Sequence, residues 1–271
     1  MRFDSNLAWK DAVQAVSANR DVLLALAGVF FMLPSLAFAL LVPTPEPQPG
    51  LTPEQTVTMA LDIYRTTMPY LLAMSLIQAV GTLSVLTLFT DREQPTVGET
   101  IRLGLNGVLA YLGAYLLMGL VLGLGGSILI GAATAAGVPA LAVVIGLGVL
   151  VALIYIGIRM SLIAPVVAVD RVRNPIAALR RSWELTRGNT ARILLFFILL
   201  GVAFLVVLMV IMAAAGVALA LVAGGEAAKM VAAVISSLLT AVMTLYFIAV
   251  LASIHRQLSG PSAEAVSITF E

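Results

Sequence analysis

The chain has 271 residues, 61% of them hydrophobic and only 11% charged, where an ordinary soluble domain carries roughly 25% charge. A mean hydropathy of +1.07, with the apolar residues gathered into long runs rather than short alternating stretches, excludes a soluble globular fold and an outer-membrane barrel. The absence of cysteine and the single histidine, His255, exclude disulfides, thiolate metal sites and most other metal chemistry, so no metal or cofactor is expected.

At the amino end, Asp4 or Ser5 can cap a short amphipathic helix that carries Leu7, Trp9, Val13 and Val16 and ends near Asn19. The apolar run that follows, 22–42, exceeds the about 7–15 residues of a secretory signal and reads as a retained membrane span, with Pro34 expected to kink or end it. Residues 43–50 form a proline-rich, semi-rigid connector. Thr52-Pro53-Glu54-Gln55 offers a capping box for a helix to about Thr67, and Pro69 introduces a second span over 68–90, in which Gln78 is expected to hydrogen-bond a neighbouring helix.

Thr96-Val97-Gly98-Glu99 is a second capping box, opening a surface helix through Ile101, Leu103 and Leu105 to Asn106-Gly107. The third span, 107–134, is rich in glycine at 119, 123, 125, 126 and 131, which permits close helix packing within the chain or against another copy. The fourth span, 139–165, carries Arg159 near its end, with Pro165 and Asp170 following. The arginine is expected either to anchor a lipid phosphate, or to snorkel or pair with Asp170 or Glu184.

A third surface helix begins at Asn174-Pro175 and closes at Gly188, with Ile176, Leu179, Trp183 and Thr186 on one face and Arg180, Arg181 and Arg187 largely off it. The fifth and sixth spans, 193–222 and 230–254, lead to His255 and Arg256, expected as helix-terminal cations without a partner. The predicted fold is thus all-α: a polytopic transmembrane bundle of about six spans, each hairpin preceded by a short amphipathic interfacial helix. It is read as a single membrane domain over 1–256, with a cytoplasmic tail at 257–271.

Basic residues near span ends are retained in the cytoplasm. Placing both termini there puts Arg2, Lys10, Arg20, Arg92, Arg102, Arg171, Arg173, Arg180, Arg181, Arg187, Arg192 and Arg256 inside, twelve of the 15 basic residues, and leaves Arg65 and Lys229 outside. Within the six span limits there is no Asp, Glu, Lys or His, so the usual parts of a proton relay or cation-coupling site are missing. No nucleophile and base pair is visible, and no enzyme is expected. The candidate site is therefore the arginine cluster Arg171, Arg173, Arg180, Arg181, Arg187 and Arg192, with Arg159 and the interfacial Trp9 and Trp183. These either serve only to fix topology or meet anionic lipid headgroups or a partner protein. The cluster is short and tethered at the bilayer, so nucleic acid is not an expected ligand.

The segment Pro175-Ile-Ala-Ala-Leu-Arg-Arg-Ser-Trp-Glu-Leu-Thr-Arg-Gly-Asn189, and the entry to the first span through Trp9, Asn19 and Asp21, resemble the membrane domain of bacterial glycerophosphoryl diester phosphodiesterases, which also occurs as a stand-alone membrane protein. The resemblance implies a six-helix domain of the bacterial inner membrane. It does not imply the phosphodiesterase activity, whose paired histidines and carboxylates have no counterpart in a chain with one histidine. The functional expectation is a non-enzymatic lipid- or partner-binding membrane module, and the alternative is a permease for a small or lipid-like solute.

Overall fold

A computed structural model describes residues 2–42, 50, 52–90, 96–135, 137–222 and 225–260. Ten α-helices follow one another in these residues: α1 (Ser5–Ala18), α2 (Arg20–Ala27), α3 (Leu33–Leu41), α4 (Pro53–Thr90), α5 (Val97–Ala135), α6 (Pro139–Arg159), α7 (Ile163–Ala168), α8 (Pro175–Thr186), α9 (Thr190–Val222) and α10 (Glu226–Ser259). Six segments are long and apolar enough to cross a membrane, and the protein is an all-α, multi-pass membrane bundle. The proline-rich connector over 43–49, Arg92 and the tail from 261 onward lie outside the described residues.

The first span is built from three pieces. A π-helical turn, Gly28–Met32, joins α2 to α3 immediately before Pro34. Proline cannot donate a backbone hydrogen bond, and the wider turn is one way a helix absorbs that loss without breaking. Pro69, by contrast, sits inside an uninterrupted α4, so the outer helix and the second span expected as two elements are one continuous helix of 38 residues. The surface helix expected before the third span is likewise the first part of a continuous α5. Its capping box forms, with Thr96 N–H donating to Glu99 Oε2 at 2.8 Å and Glu99 N–H to Thr96 Oγ1 at 3.4 Å, yet nothing breaks the helix at Asn106-Gly107. Only α1 and α8 are separate interfacial helices, so elbow helices precede two of the hairpins rather than all three.

The tightly packed core is concentrated at the end that holds α1, α7 and α8. It comprises Leu23, Leu26 and Phe31 of the first span, Leu83, Val85 and Leu86 of α4, Leu162 to Val167 around α7, Ile193 of α9, and Leu245, Ile248 and Ile254 of α10. Toward the other end each helix is partly covered along one narrow stripe, such as Phe204, Leu208 and Met212 of α9, and presents the rest of its apolar circumference outward. None of the apolar window of α6 is buried. Lipid is an apolar solvent, so these faces carry no hydrophobic penalty and need no protein partner.

Where helices do meet closely, glycine makes room. A Cβ added at Gly81 would stand 2.4 Å from Phe30 Cβ, and one at Gly104 would stand 3.1 Å from the backbone nitrogen of Ser84. In the third span Gly107 and Gly113 are also close contacts, beside Arg173 and Pro175, but the glycines farther along behave differently. Gly119, Gly123, Gly125 and Gly131 have nothing within 4 Å, and Gly126 alone of that group touches a neighbour, Val149. Packing within the chain therefore does not account for most of them. Gln78 also departs from expectation, forming no hydrogen bond with another described residue.

Candidate site at the arginine-rich end

The site is organised by the break after Arg159. α6 ends there, residues 160–162 interrupt the helix, and the short α7, buried throughout residues 163–167, continues the chain within the core. Asn174 then starts α8, its Oδ1 accepting from the amides of Ile176 at 2.9 Å and Ala177 at 3.2 Å. This is the expected cap, and it satisfies two of the amides that a helix start leaves open.

The face that α8 buries is rotated from the expected one. Ala178, Ser182, Leu185 and Thr186 are buried, whereas Ile176 is 68% exposed. The reason is polar rather than apolar. The hydroxyls of Ser182 and Thr186 donate to the Arg159 carbonyl at 2.9 Å and 3.2 Å, so α8 closes off one of the open carbonyls at the end of α6. The expected face included Thr186, which is buried, but not Ser182; the carbonyl left open where α6 ends accounts for both, while Ile176 stays outside.

The same contact buries the Arg159 side chain to 4% exposure. Its guanidinium carbon lies 4.2 Å from the centroid of Trp183 and 5.8 Å from that of Tyr155, and the two rings meet edge to face at 5.9 Å. Arg159 Nε is sealed and has no hydrogen-bond partner. The carboxylates expected to neutralise it are engaged elsewhere. Glu184 Oε1 takes Arg180 Nε at 3.0 Å, while Asp170 faces Arg181 Nε at 3.4 Å and His255 Nε2 at 3.1 Å. Arg159 thus neither pairs with an acid nor reaches freely into water.

His255 is a second correction, because it is 3% exposed and does have a partner. Its approach to Asp170 is close but off the line of a straight hydrogen bond. At Asp170, desolvation by burial pushes the carboxyl upward, but interaction with His255 and then with Arg181 outweighs it and the net shift is down. Asp170 thereby ties α8 to the end of α10.

The remaining candidates fall into separate places. Arg181 and Arg187, together with Glu184, Leu185, Asn189 and Leu258, line an open cleft of about 250 Å³. Arg171 has a left-handed backbone at φ 53°, and like Arg192 it is exposed. Arg173 lies against α5, one guanidinium nitrogen filling the space beside Gly107. Trp9 stacks on Tyr246 of α10 at 5.9 Å and stays 40% exposed, so it belongs to the α1–α10 junction rather than to the group around Trp183.

That junction contains residues that sequence reasoning missed. Asp11 accepts from Ser253 Oγ at 3.2 Å and pairs with Arg256, Asp4 N–H donates to Gln257 Oε1 at 3.0 Å, and Phe3 N–H donates to Asn189 Oδ1 at 3.0 Å. The partners lie about 190 to 250 positions apart in the chain, too far for any local pattern to signal. The two ends of the described chain accordingly meet at one face of the bundle, as an even number of spans requires. No protein-family model, no curated protein and no solved structure matches this chain.

Proposed function

We propose that the protein is a non-enzymatic module of the bacterial inner membrane, with its arginine-rich end in the cytoplasm, that binds anionic phospholipid headgroups along α8. The reading agrees with the resemblance of Pro175 to Asn189 to the membrane domain of glycerophosphoryl diester phosphodiesterases. The observation that carries it is the placement of basic side chains around a pinned surface helix. Arg171, Arg173, Arg180, Arg187 and Arg192 are exposed on α8 and its flanks, and Arg181 lines the adjacent cleft. Each basic side chain near an anionic surface contributes about 1 kcal/mol, whereas the exposed Arg180–Glu184 pair that competes for one of them is worth about 0.3–0.5 kcal/mol.

Native mass spectrometry of the gently extracted protein tests the reading. Phosphatidylglycerol should be retained in preference to phosphatidylcholine, and replacing Arg180, Arg181 and Arg187 by Gln should abolish the preference. Equal retention of the two lipids by the parent protein rejects it.

Contact with another membrane protein or a second copy has its own support: Gly119 and Gly123, one helical turn apart in α5, have nothing within 4 Å. Transport is the weaker alternative. It calls for a water-accessible polar cavity near the midplane, and no Asp, Glu, Lys or His lies within the span limits to line one.

A further inference from the structure

The Arg159 guanidinium raises a question that the exposed arginines do not. An ionised side chain taken out of water needs compensation, and a buried arginine ordinarily obtains it from a carboxylate. Here the two nearby acids are committed to Arg180, Arg181 and His255, and no ion pair joins Arg159 to any described residue. The rings of Trp183 and Tyr155 supply cation–π attraction, which acts on the flat face of the guanidinium and leaves its in-plane N–H groups without acceptors. Of the three nitrogens only Nε is both sealed and unpartnered, so the small exposure that remains to the residue leaves the terminal pair as the side that faces outward. Two parallel donors in one plane, backed by aromatic rings, match an oxyanion with two adjacent oxygens.

We propose that Arg159 is a stoichiometric phosphate site, filled by the phosphodiester of one inner-leaflet phospholipid. The source is argued from position. Arg159 is the last residue of α6, with its carbonyl held by the surface helix α8, and the preceding turns of α6 present Val151, Ile154 and Tyr155 outward at 66%, 46% and 47% exposure, giving acyl chains an apolar track beside the headgroup. This rests on the reading of α8 as a lipid-facing helix but differs from it in kind. The exposed arginines act through net charge and are screened by salt, whereas a flanked, desolvated guanidinium recognises the phosphate itself and is screened much less. The site therefore accepts zwitterionic as well as anionic phospholipids.

The test measures lipid phosphorus in full-length protein purified in detergent and washed at high salt. The parent should keep one phospholipid per chain and Arg159→Gln should keep none. Arg159→Lys, which retains the charge without the fork, should lose most of it. Trp183→Phe, a milder change, should weaken retention while circular dichroism and thermal unfolding confirm that each variant is folded.

The triple substitution of Arg180, Arg181 and Arg187 by Gln should leave this salt-resistant lipid in place. Failure of the α8 reading is therefore visible as unchanged headgroup preference without any effect here. Retention of the lipid by a folded Arg159→Gln protein overturns the proposal, as does a parent that holds no phospholipid after the wash. If inorganic phosphate or glycerol phosphate alone displaces the lipid and stabilises the parent but not Arg159→Gln, the oxyanion site stands and its source is a soluble phosphate.

Discussion

Replacing Gly81 by alanine would place a methyl group 2.4 Å from Phe30 Cβ and 2.9 Å from Phe30 Cγ, where ordinary contact begins at 3.4 Å. A Cβ is fixed to its own backbone, so no change of rotamer relieves the first overlap. α4 and the π-helical turn must move apart by about 1 Å, opening the contacts that Phe31 and Leu83 make in the core. Overpacking of this kind costs about 1–3 kcal/mol, with a backbone-fixed clash near the top of that range, while the better helix propensity of alanine returns about 1 kcal/mol. The net expectation is a loss of about 2 kcal/mol, roughly 30-fold in the unfolding equilibrium. Reversible unfolding in mixed micelles followed by circular dichroism measures it, with Gly119→Ala as the control because nothing lies within 4 Å of that position. The reasoning is refuted if Gly81→Ala is as stable as the parent, or if Gly119→Ala in monomeric protein loses as much.

Removing the α8 cap with Asn174→Ala leaves the amides of Ile176 and Ala177 unsatisfied and should cost about 1 kcal/mol, seen as faster hydrogen exchange over α8. The Asp170 carboxyl is held below its usual value of about 3.9, so its contribution is fully present above that pH and is lost as pH falls through the lower, folded-state value. Asp170→Asn should flatten the acid limb of the stability curve, and an unchanged limb would remove Asp170 from the account. For orientation, cysteines introduced at Ala177 and Glu54, both exposed, should differ in intact cells. A membrane-impermeant thiol reagent should label Glu54→Cys and spare Ala177→Cys, and the reverse pattern would invert the topology.

What could be read from the residues alone was whatever depends on local composition and solvent. Long uncharged runs must satisfy their backbones internally in lipid, which made the six spans legible. The capping box at Thr96 and the N-cap at Asn174 were legible because their partners lie two or three residues away. Breaks were less so. Pro69 and Asn106-Gly107 are punctuation marks in sequence, yet α4 and α5 run through them, because tertiary contacts and lipid favour continuous hydrogen bonding over a local preference for a turn.

The site divides in the same way. Arginine-rich composition around α8 is visible without a structure, and so is the oddity of Arg159 in an apolar span. Which acid each arginine meets was decided only in three dimensions. Asp170 lies eleven positions from both Arg159 and Arg181, and the turn after α6 gives it to Arg181 and to His255 of α10. Likewise the glycines at 81 and 119 are identical as residues, and only the positions of neighbouring helices make one a required contact and the other an open face. Hydrophobicity chose the solvent of each segment, a local property. The pairing of charges and the close approach of helices depend on which distant segments share space, and only the folded chain supplies that.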